Sequence, residues 1–353
     1  MSRKLCIAAG FAVGAVFGLQ FPDVALAQQS PQASRPRSLA DVAKPRLGLP
    51  NLNPTSNGHT IHIMPTVKGA AALARLAPDS GPLEYSGGPI MPTVNLYAIY
   101  WAPPTLQNGT PVTLPVTYKR LQKRLLKDYP QHGIGNITTQ YNQTGPTLYP
   151  TNDGDFNGDF FVDTSPYPAS TCSDTARPGN CITDANIQAE ITKVMGIKGW
   201  VGELNNIFLV YTTDGEGSCV DSSSTNCAYT QYCAYHSFFG PTAAPVIYAN
   251  MPFGDTSACQ NFGQPSPNGD AVADAVTSTA SHEITESITD PLLNAWFTAM
   301  GNEIGDLCAY NYGTNSWNSM VTNDANQNWN GHFYELQMEF DNHANGCAQV
   351  GPL

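Results

Sequence analysis

The hydrophobic pattern of the chain predicts both strands and helices. Alternating apolar and polar positions, or continuous apolar runs, are typical of β-strands and occur at residues 93–101, 206–212, 245–249 and 332–340. Apolar residues recur at helical spacing over residues 118–128, 184–195 and 270–289, with Asp270 placed as a helix N-cap. These elements predict an α+β protein with a mixed sheet.

The first 88 residues differ from the rest. Ser2-Arg3-Lys4 forms a basic n-region, residues 5–21 are mostly apolar, and Ala25-Leu26-Ala27 resembles a signal-peptidase cleavage site. We therefore expect a signal peptide at 1–27, with a membrane anchor as the alternative. Residues 28–88 are rich in Pro, Ala, Ser, Asn and Gly and are expected to form a flexible segment or pro-segment. A single main domain is expected at 89–353, without a membrane span in the mature form.

The cysteines fit an exported protein, either extracellular or periplasmic. Without Cys6 in the predicted signal peptide, eight cysteines remain, and none forms a CxxC pair. An even number of cysteines in an oxidising compartment predicts four disulfides. Eight cysteines allow 105 pairings, and loop length is the only guide to the pairing. Short loops favour Cys172–Cys181 and Cys219–Cys227, which leaves Cys233–Cys259 and Cys308–Cys347.

The charge distribution excludes one class of partner. The protein is acidic, with a net charge of −12, and only 12% of its residues are charged. No Lys or Arg follows Lys198, although the last 155 residues carry 16 carboxylates. Such a surface repels phosphate, so we expect no nucleic-acid partner. If carboxylates cluster in this half of the chain, a bound cation is the simplest way to neutralise them.

A candidate metal site lies on the helix predicted at 270–289, which contains the sequence His282-Glu283-Ile-Thr-Glu286. Side chains four residues apart share one helical face, so His282 and Glu286 can bind one metal ion. Glu283 can then reach a water on that ion. Glu303 follows 17 residues after Glu286, which is close to the spacing from which a second helix returns a third ligand. The alternative is an amphipathic helix whose acidic side chains face water.

The sequence HEITESITD, followed by NEIGD, resembles the HExxH…NExxSD arrangement of thermolysin-like zinc peptidases, the gluzincins. This resemblance implies Zn²⁺ ligands at His282 and Glu303, a general base at Glu283, and Asp306 near the position that orients a ligand histidine. Glu286 replaces the second histidine of that family. One imidazole and two carboxylates form a harder, more anionic ligand set than zinc usually has in peptidases. The resemblance also implies a zincin-like fold, in which the mixed sheet packs on the active-site helix.

A second resemblance covers most of residues 90–350. SHEITESITDPLLNAW followed by NEIGDLC, with YCAYH upstream and a cysteine near the C-terminus, is similar to the EXORDIUM/phosphate-induced protein 1 family and its bacterial relatives. Some members of that family lack the HE residues, and its plant members are implicated in cell-wall-associated growth control. This resemblance therefore implies a non-catalytic alternative with a cell-wall component as the partner.

Other residues are weaker candidates for the site. A peptidase also needs a donor to the oxyanion, and His236, His332 and Tyr334 are candidates that the sequence does not rank. His59, His62, His132 and His343 are expected to matter less. Asp153, Asp155, Asn157 and Asp159 match the opening of a calcium loop, but Thr164 occupies its twelfth position. We list Ca²⁺ there as a structural alternative.

The favoured function is a secreted, metal-dependent peptidase that acts on peptide or protein substrates. The main rival is a non-catalytic EXORDIUM-like module in which a metal ion is structural. A third alternative uses Glu283 and Glu303 for glycoside hydrolysis in a groove lined by Trp296 or Trp317. An open cleft around His282, Glu286 and Glu303 would favour the peptidase, whereas a buried, closed cluster would favour the structural site.

Overall fold

A computed structural model of the chain describes residues 37–42, 48–56, 58–260, 266–313 and 325–351. The predicted signal peptide at 1–27 and Trp317 lie outside these ranges. Within them, the strands are β1 Thr55–Ser56, β2 His59–Thr60, β3 His62–Pro65, β4 Glu84–Tyr85, β5 Asn95–Trp101, β6 Gly158–Asp163, β7 Cys181–Thr183, β8 Asn206–Tyr211, β9 Gly217–Cys219, β10 Tyr232–Phe239, β11 Val246–Met251, β12 Trp296–Phe297, β13 Gln327–Trp329, β14 His332–Tyr334, β15 Glu339–Asp341 and β16 Gly346–Ala348. The α-helices of the same ranges are α1 Val67–Leu76, α2 Val116–Asp128, α3 Gly133–Ile137, α4 Asp184–Lys198 and α5 Ala271–Thr289, with short 3₁₀ turns at Leu39–Asp41, Thr138–Gln140 and Asp306–Cys308.

A six-stranded mixed sheet with the order β3-β10-β11-β8-β5-β6 organises the fold. β11, β8, β5 and β6 run parallel, and β10 is antiparallel to both of its neighbours. Helices α2 and α5 pack on one face through residues such as Leu125 and Ile284. Helix α4 packs on the other face through Ile187 and Ile191. Alternation along each strand therefore directs successive side chains toward two separate cores.

Most of the elements predicted from the pattern are confirmed. β5, β8, β11 and the three helices α2, α4 and α5 lie where the hydrophobic spacing placed them, and Asp270 caps α5 by accepting from the Ala273 amide. The single strand predicted at 332–340 is wrong, because the structure divides it into β14 and β15. Between these strands the backbone N–H of Gln337 donates to the hydroxyl of Ser278 on α5. This N–H therefore bonds to a side chain and not to a neighbouring strand.

The folded unit starts earlier than predicted. The described residues belong to one compact unit that begins at Pro36, and β3 forms an edge of the central sheet by pairing with β10. β3 and α1 therefore belong to the compact unit, and the flexible-segment or pro-segment role of 28–88 remains a prediction. The short pattern Ile61-His62-Ile63 is too small to fold alone, but it buries both isoleucines completely once β10 provides a partner. Cleavage of a pro-segment remains a prediction.

The predicted disulfide pairing is confirmed at all four bonds, which are Cys172–Cys181, Cys219–Cys227, Cys233–Cys259 and Cys308–Cys347. Four disulfides are typical of proteins from an oxidising compartment. Among the described helices, none has both the length and the apolar composition needed to cross a membrane.

Candidate metal centre

Helix α5 carries the motif residues and is buried along most of its length, although its sequence is polar. Its hydroxyl side chains mostly bond within the helix: Thr277 donates to the Asp274 carbonyl and Thr285 donates to the Ser281 carbonyl. Such back-bonding satisfies a buried threonine without a tertiary partner. The side chains of His282, Glu283 and Glu286 are not satisfied by such bonds within the helix, and all three are 0% exposed.

Two histidines from the sheet face this helix. His62 on β3 and His236 on β10 are cross-strand partners, and their ring centroids lie 5.4 Å apart. Alternation places them on the face that packs against α5, since Ala234, two residues before His236, lies in the α5-side core. Both histidines are completely buried.

The segment after α5 supplies two more carboxylates. The Glu303 amide donates to Asp306 Oδ2 at 2.9 Å, which fixes the turn that carries both side chains. Gly305 lies against the imidazole of His282, and a Cβ added there would be 2.4 Å from Nδ1. Only glycine allows the turn to approach the helix this closely.

These side chains converge on Glu286. Its Oε2 lies 3.1 Å from His282 Nε2, 3.5 Å from His236 Nδ1 and 3.8 Å from His62 Nε2. Glu303 Oε1 lies 3.7 Å from His62 Nδ1 and 3.6 Å from His236 Nε2. Ligands that share a tetrahedral zinc ion with bonds of about 2.0–2.1 Å are separated by about 3.3 Å. The single distances are close to this separation, but the contacts to Glu286 and to Glu303 use different nitrogens of His62 and His236, so the side chains form overlapping donor groups around Glu286.

Many of these atoms lack hydrogen bonds. Within the described part of the chain, both carboxylate oxygens of Glu286 and Glu303 have no hydrogen-bond partner, and neither do His236 Nε2 and His282 Nε2. Buried polar groups are nearly always paired, and an orphan group requires an explanation such as an ion or a water. The atoms are close to one another without being bonded, as expected of lone pairs directed at one cation.

The pKa values show that the histidines and carboxylates of the cluster already balance part of one another's charge. Burial lowers the pKa of His236, but the hydrogen bond and charge of Glu283, together with Glu286, outweigh burial and raise it to about 9. Burial raises the pKa of Glu286, but the charges of His282 and His62 outweigh it and hold it below the usual range. Burial and neighbouring carboxylates, first Asp290, raise the pKa of Glu303 well above its usual range. Glu286 is therefore ionised beside the histidines, and a divalent cation would favour ionisation of Glu303 as well.

The donor set fits a transition metal better than calcium. Imidazole nitrogens combined with carboxylates suit zinc and its neighbours, whereas Ca²⁺ and Mg²⁺ prefer oxygen ligands alone. Three overlapping donor groups have ligand atoms mutually within 4.8 Å, and Glu286 belongs to each of them: His62–Glu286–Glu303, His236–Glu283–Glu286 and His282–Glu286–Asp306.

The structure brings most of the predicted site residues together. His282, Glu283, Glu286, Glu303 and Asp306 all belong to the cluster. Of the three candidate oxyanion donors, His236 also lies there, with its Nδ1 hydrogen-bonded to Glu283 Oε2 at 3.2 Å. The other two are directed elsewhere, since the side chains of His332 and Tyr334 both bind Asp128 on α2.

Three of the four predicted calcium ligands have separate partners. Asp159 lies in β6 and pairs with Lys198 at 2.9 Å. Asn157 donates to Asn95 Oδ1, and Asp155 accepts a long contact from Gln131. The contacts of these side chains do not support a shared calcium ion, and Ca²⁺ there remains a prediction.

Sequence reasoning missed several residues of the cluster. His62 was expected to matter little, and its neighbour Asn53 was not considered. Gln337 contacts His282 Nδ1 at 2.9 Å, and Glu339 is completely buried with both carboxylate oxygens unpartnered among the described residues. The available signal was the alternation around His62, which predicts that His62 faces opposite to Ile61 and Ile63.

Two curated proteins of Arabidopsis thaliana share short segments with this chain. Protein EXORDIUM-like 3 is 42% identical over 76 residues, which is 19% of this chain and 23% of that protein. Protein EXORDIUM-like 5 is 40% identical over 52 residues, or 14% of each chain. The matches therefore span less than a quarter of either relative. No protein-family profile matches the chain, and no solved structure matches it. The similarity to EXORDIUM-like proteins is therefore local.

Proposed function

We propose that this protein is a non-catalytic, extracellular EXORDIUM-like module in which a divalent metal ion, Zn²⁺ by its ligand chemistry, is structural. The ion would hold α5, the β3–β10 pair and the turn at residues 303–306 together. Full burial of the cluster carries this proposal. His282, Glu283, Glu286 and Glu303 are each 0% exposed, and a buried cluster is what we expect of a structural metal site.

A catalytic zinc site keeps one coordination position open to water and substrate. Glu283, the predicted general base, is buried and accepts a hydrogen bond from His236. A surface cavity of about 250 Å³ reaches the cluster at Asp306, but Glu283 does not line it. The burial of Glu283 away from this cavity favours a structural ion over peptide hydrolysis.

The glycosidase alternative is not supported by the geometry. Glu283 and Glu303 belong to one buried cluster, whereas glycosidases place two carboxyl groups on opposite sides of a sugar in an accessible groove. Trp296 lies elsewhere, packed against Tyr85 and Tyr141.

The zincin-like architecture also belongs to this proposal. It is supported by the HExxE motif on a helix that packs against a mixed sheet, with an acidic segment following. Export is supported by the predicted signal peptide, the four disulfides and the similarity to EXORDIUM-like proteins. A cell-wall component is the partner that this similarity suggests.

Two measurements on the purified mature protein test the proposal. Elemental analysis should find stoichiometric zinc. Incubation with casein or a peptide library should show no chelator-sensitive hydrolysis. The Glu283→Gln variant is the matched control, because it conserves size while removing the predicted base. Chelator-sensitive hydrolysis that is lost in this variant would establish the peptidase instead.

A further inference from the structure

We propose that the solvent-facing side of helix α2 binds an acidic polysaccharide, a polymer of sugars that carry carboxylates. Five basic residues lie on this helix within nine positions: Lys119, Arg120, Lys123, Arg124 and Lys127. The inference rests on the proposed extracellular function and deepens it, because it gives the chemistry of the cell-wall component expected as the partner. It makes no use of the metal centre.

Helix α2 has two sides of different chemistry. Its apolar residues, such as Leu121 and Leu125, are buried in the core that α2 shares with α5. Lys119, Lys123 and Lys127 follow one another at intervals of four residues, so they form a column along the helix. Lys123 and Lys127 are exposed, and Lys119 is half-buried. Because an α-helix rises about 1.5 Å per residue, this column presents positive charges to solvent about every 6 Å.

Within the described ranges, the bases of α2 form no ion pair with a carboxylate, unlike the other bases that follow residue 88. Those other bases are three in number, and each has an acidic partner: Arg177 with Asp255, Lys193 with Asp163, and Lys198 with Asp159. On α2, Lys123 lies over the Phe160 ring at 4.6 Å. Arg124 donates to the uncharged side chains of Tyr334 and Asn268. The described carboxylates therefore leave the charge of α2 without a direct counter-charge.

The basic residues do not stabilise the helix that carries them. Three like-charged pairs are four residues apart, namely Lys119–Lys123, Arg120–Arg124 and Lys123–Lys127. Like charges at this spacing destabilise an isolated helix. The first turn of α2 also contains no acidic residue, which would interact favourably with the helix dipole. Because helix stability does not explain these charges, we infer that an anionic partner supplies their counter-charges.

The chemistry of this face favours a charged polysaccharide over a protein or a membrane. Protein interfaces are depleted of lysine, whereas lysines form the exposed column on α2. Anionic lipids are concentrated in the cytoplasmic leaflet, and the proposed location of the protein is outside the cell. At physiological ionic strength, charges more than about 8 Å away are largely screened. The acidic remainder of the protein therefore does not cancel the attraction between this column and a row of carboxylates.

Calorimetric titration with polygalacturonate tests the proposal, using the protein without its predicted signal peptide. The wild type should bind, and its affinity should fall as salt is added, because the contact is electrostatic. The fully methyl-esterified polymer has the same sugars without the charges and should not bind. Arg120→Gln/Lys127→Gln should lose at least about 10-fold in affinity, since each base near an anionic surface contributes roughly fivefold.

Lys68→Gln/Arg75→Gln is the matched control, because it removes the same charge from exposed positions on α1 and should bind like the wild type. Equal losses in the two double variants would overturn the proposal. Absence of wild-type binding to polygalacturonate, or binding to phosphatidylserine vesicles alone, would also overturn it. Zinc content is measured on the same samples: zinc without polysaccharide binding contradicts only this inference, whereas polysaccharide binding without zinc contradicts only the metal centre of the proposed function.

Discussion

Glu286 shows how a single residue shapes the site. A histidine occupies this position in the thermolysin-like motif that the sequence resembles, so the replacement leaves one nitrogen in the ligand set predicted from the sequence. The structure places two further imidazoles beside Glu286, since His62 on β3 and His236 on β10 both approach it from the sheet. The motif alone could not predict this, because the two histidines lie 220 and 46 residues upstream of His282.

The charge partners of the buried carboxylates are also individual residues. No Lys or Arg follows position 198, and among the described ion pairs, those of Glu283, Glu286, Glu303 and Asp306 are with histidines alone. These carboxylates therefore do cluster in the folded protein, as the sequence predicts for acids that would need a cation.

Glu216 gives a pH prediction that is independent of the metal centre. Burial, opposed by a hydrogen bond from Gln107 and reinforced by Asp174, raises the pKa of Glu216 to about 8 from an ordinary value of 4.5. Because the folded state binds this proton more tightly than the unfolded state, stability is highest below pH 4.5 and falls as pH rises to about 8. Glu216→Gln should remove this component, which is on the order of 5 kcal/mol.

Urea unfolding from pH 4.5 to 8 measures the effect. The free energy of unfolding of Glu216→Gln should rise relative to that of the wild type across this range and then stay constant. Glu84→Gln changes an exposed glutamate and should follow the wild type throughout. A constant difference between Glu216→Gln and the wild type would show that Glu216 is not the titrating group.

At the level of elements, the sequence correctly predicted the helices and strands that have a long local pattern. α5 has an N-cap, helical spacing and nineteen residues, and β8 and β11 are continuous apolar runs. β3 was missed because four residues carry too little local signal, and its stability comes from pairing with a strand about 170 residues away. β10 was noted only as the motif Tyr-Cys-Ala-Tyr-His, because its alternation is hidden among aromatic residues that are buried on both faces.

The predicted disulfide pairing was correct because short loops left few alternatives, and one bond lies next to the candidate site. Cys308 ends the 3₁₀ turn that begins at Asp306, and Cys347 lies in β16. We expect Cys308→Ala/Cys347→Ala to lower the free energy of unfolding by about 4 kcal/mol. Zinc affinity should also fall, because the turn carrying Glu303 and Asp306 loses its attachment.

The Cys172→Ala/Cys181→Ala variant is the matched control. Its bond closes a shorter loop, with a sequence separation of 9 instead of 39, and should contribute about 3 kcal/mol. It joins β7 to the preceding loop, away from the cluster, so zinc affinity should not change. Equal losses of zinc affinity in the two variants would mean that the Cys308–Cys347 bond acts only through global stability.

At the level of the whole molecule, the candidate centre joins parts of the chain that are distant in sequence. β3, β10, α5 and the 303–306 turn each contribute buried side chains, so one ion would crosslink four segments of a single compact unit. This explains why a sequence motif identified the helix and the turn but not the complete site. Only the three-dimensional pairing of β3 with β10 brings the remaining histidines to the helix.

Thermal unfolding of metal-free and zinc-restored protein tests the central claim most directly. An ion that binds only the folded state stabilises it by about 4 kcal/mol at a thousand times its Kd, which corresponds to roughly 10 °C for a domain of this size. We predict that stripping the metal lowers the unfolding temperature by this amount and that zinc restores it. An unfolding temperature that is the same with and without zinc would contradict the account.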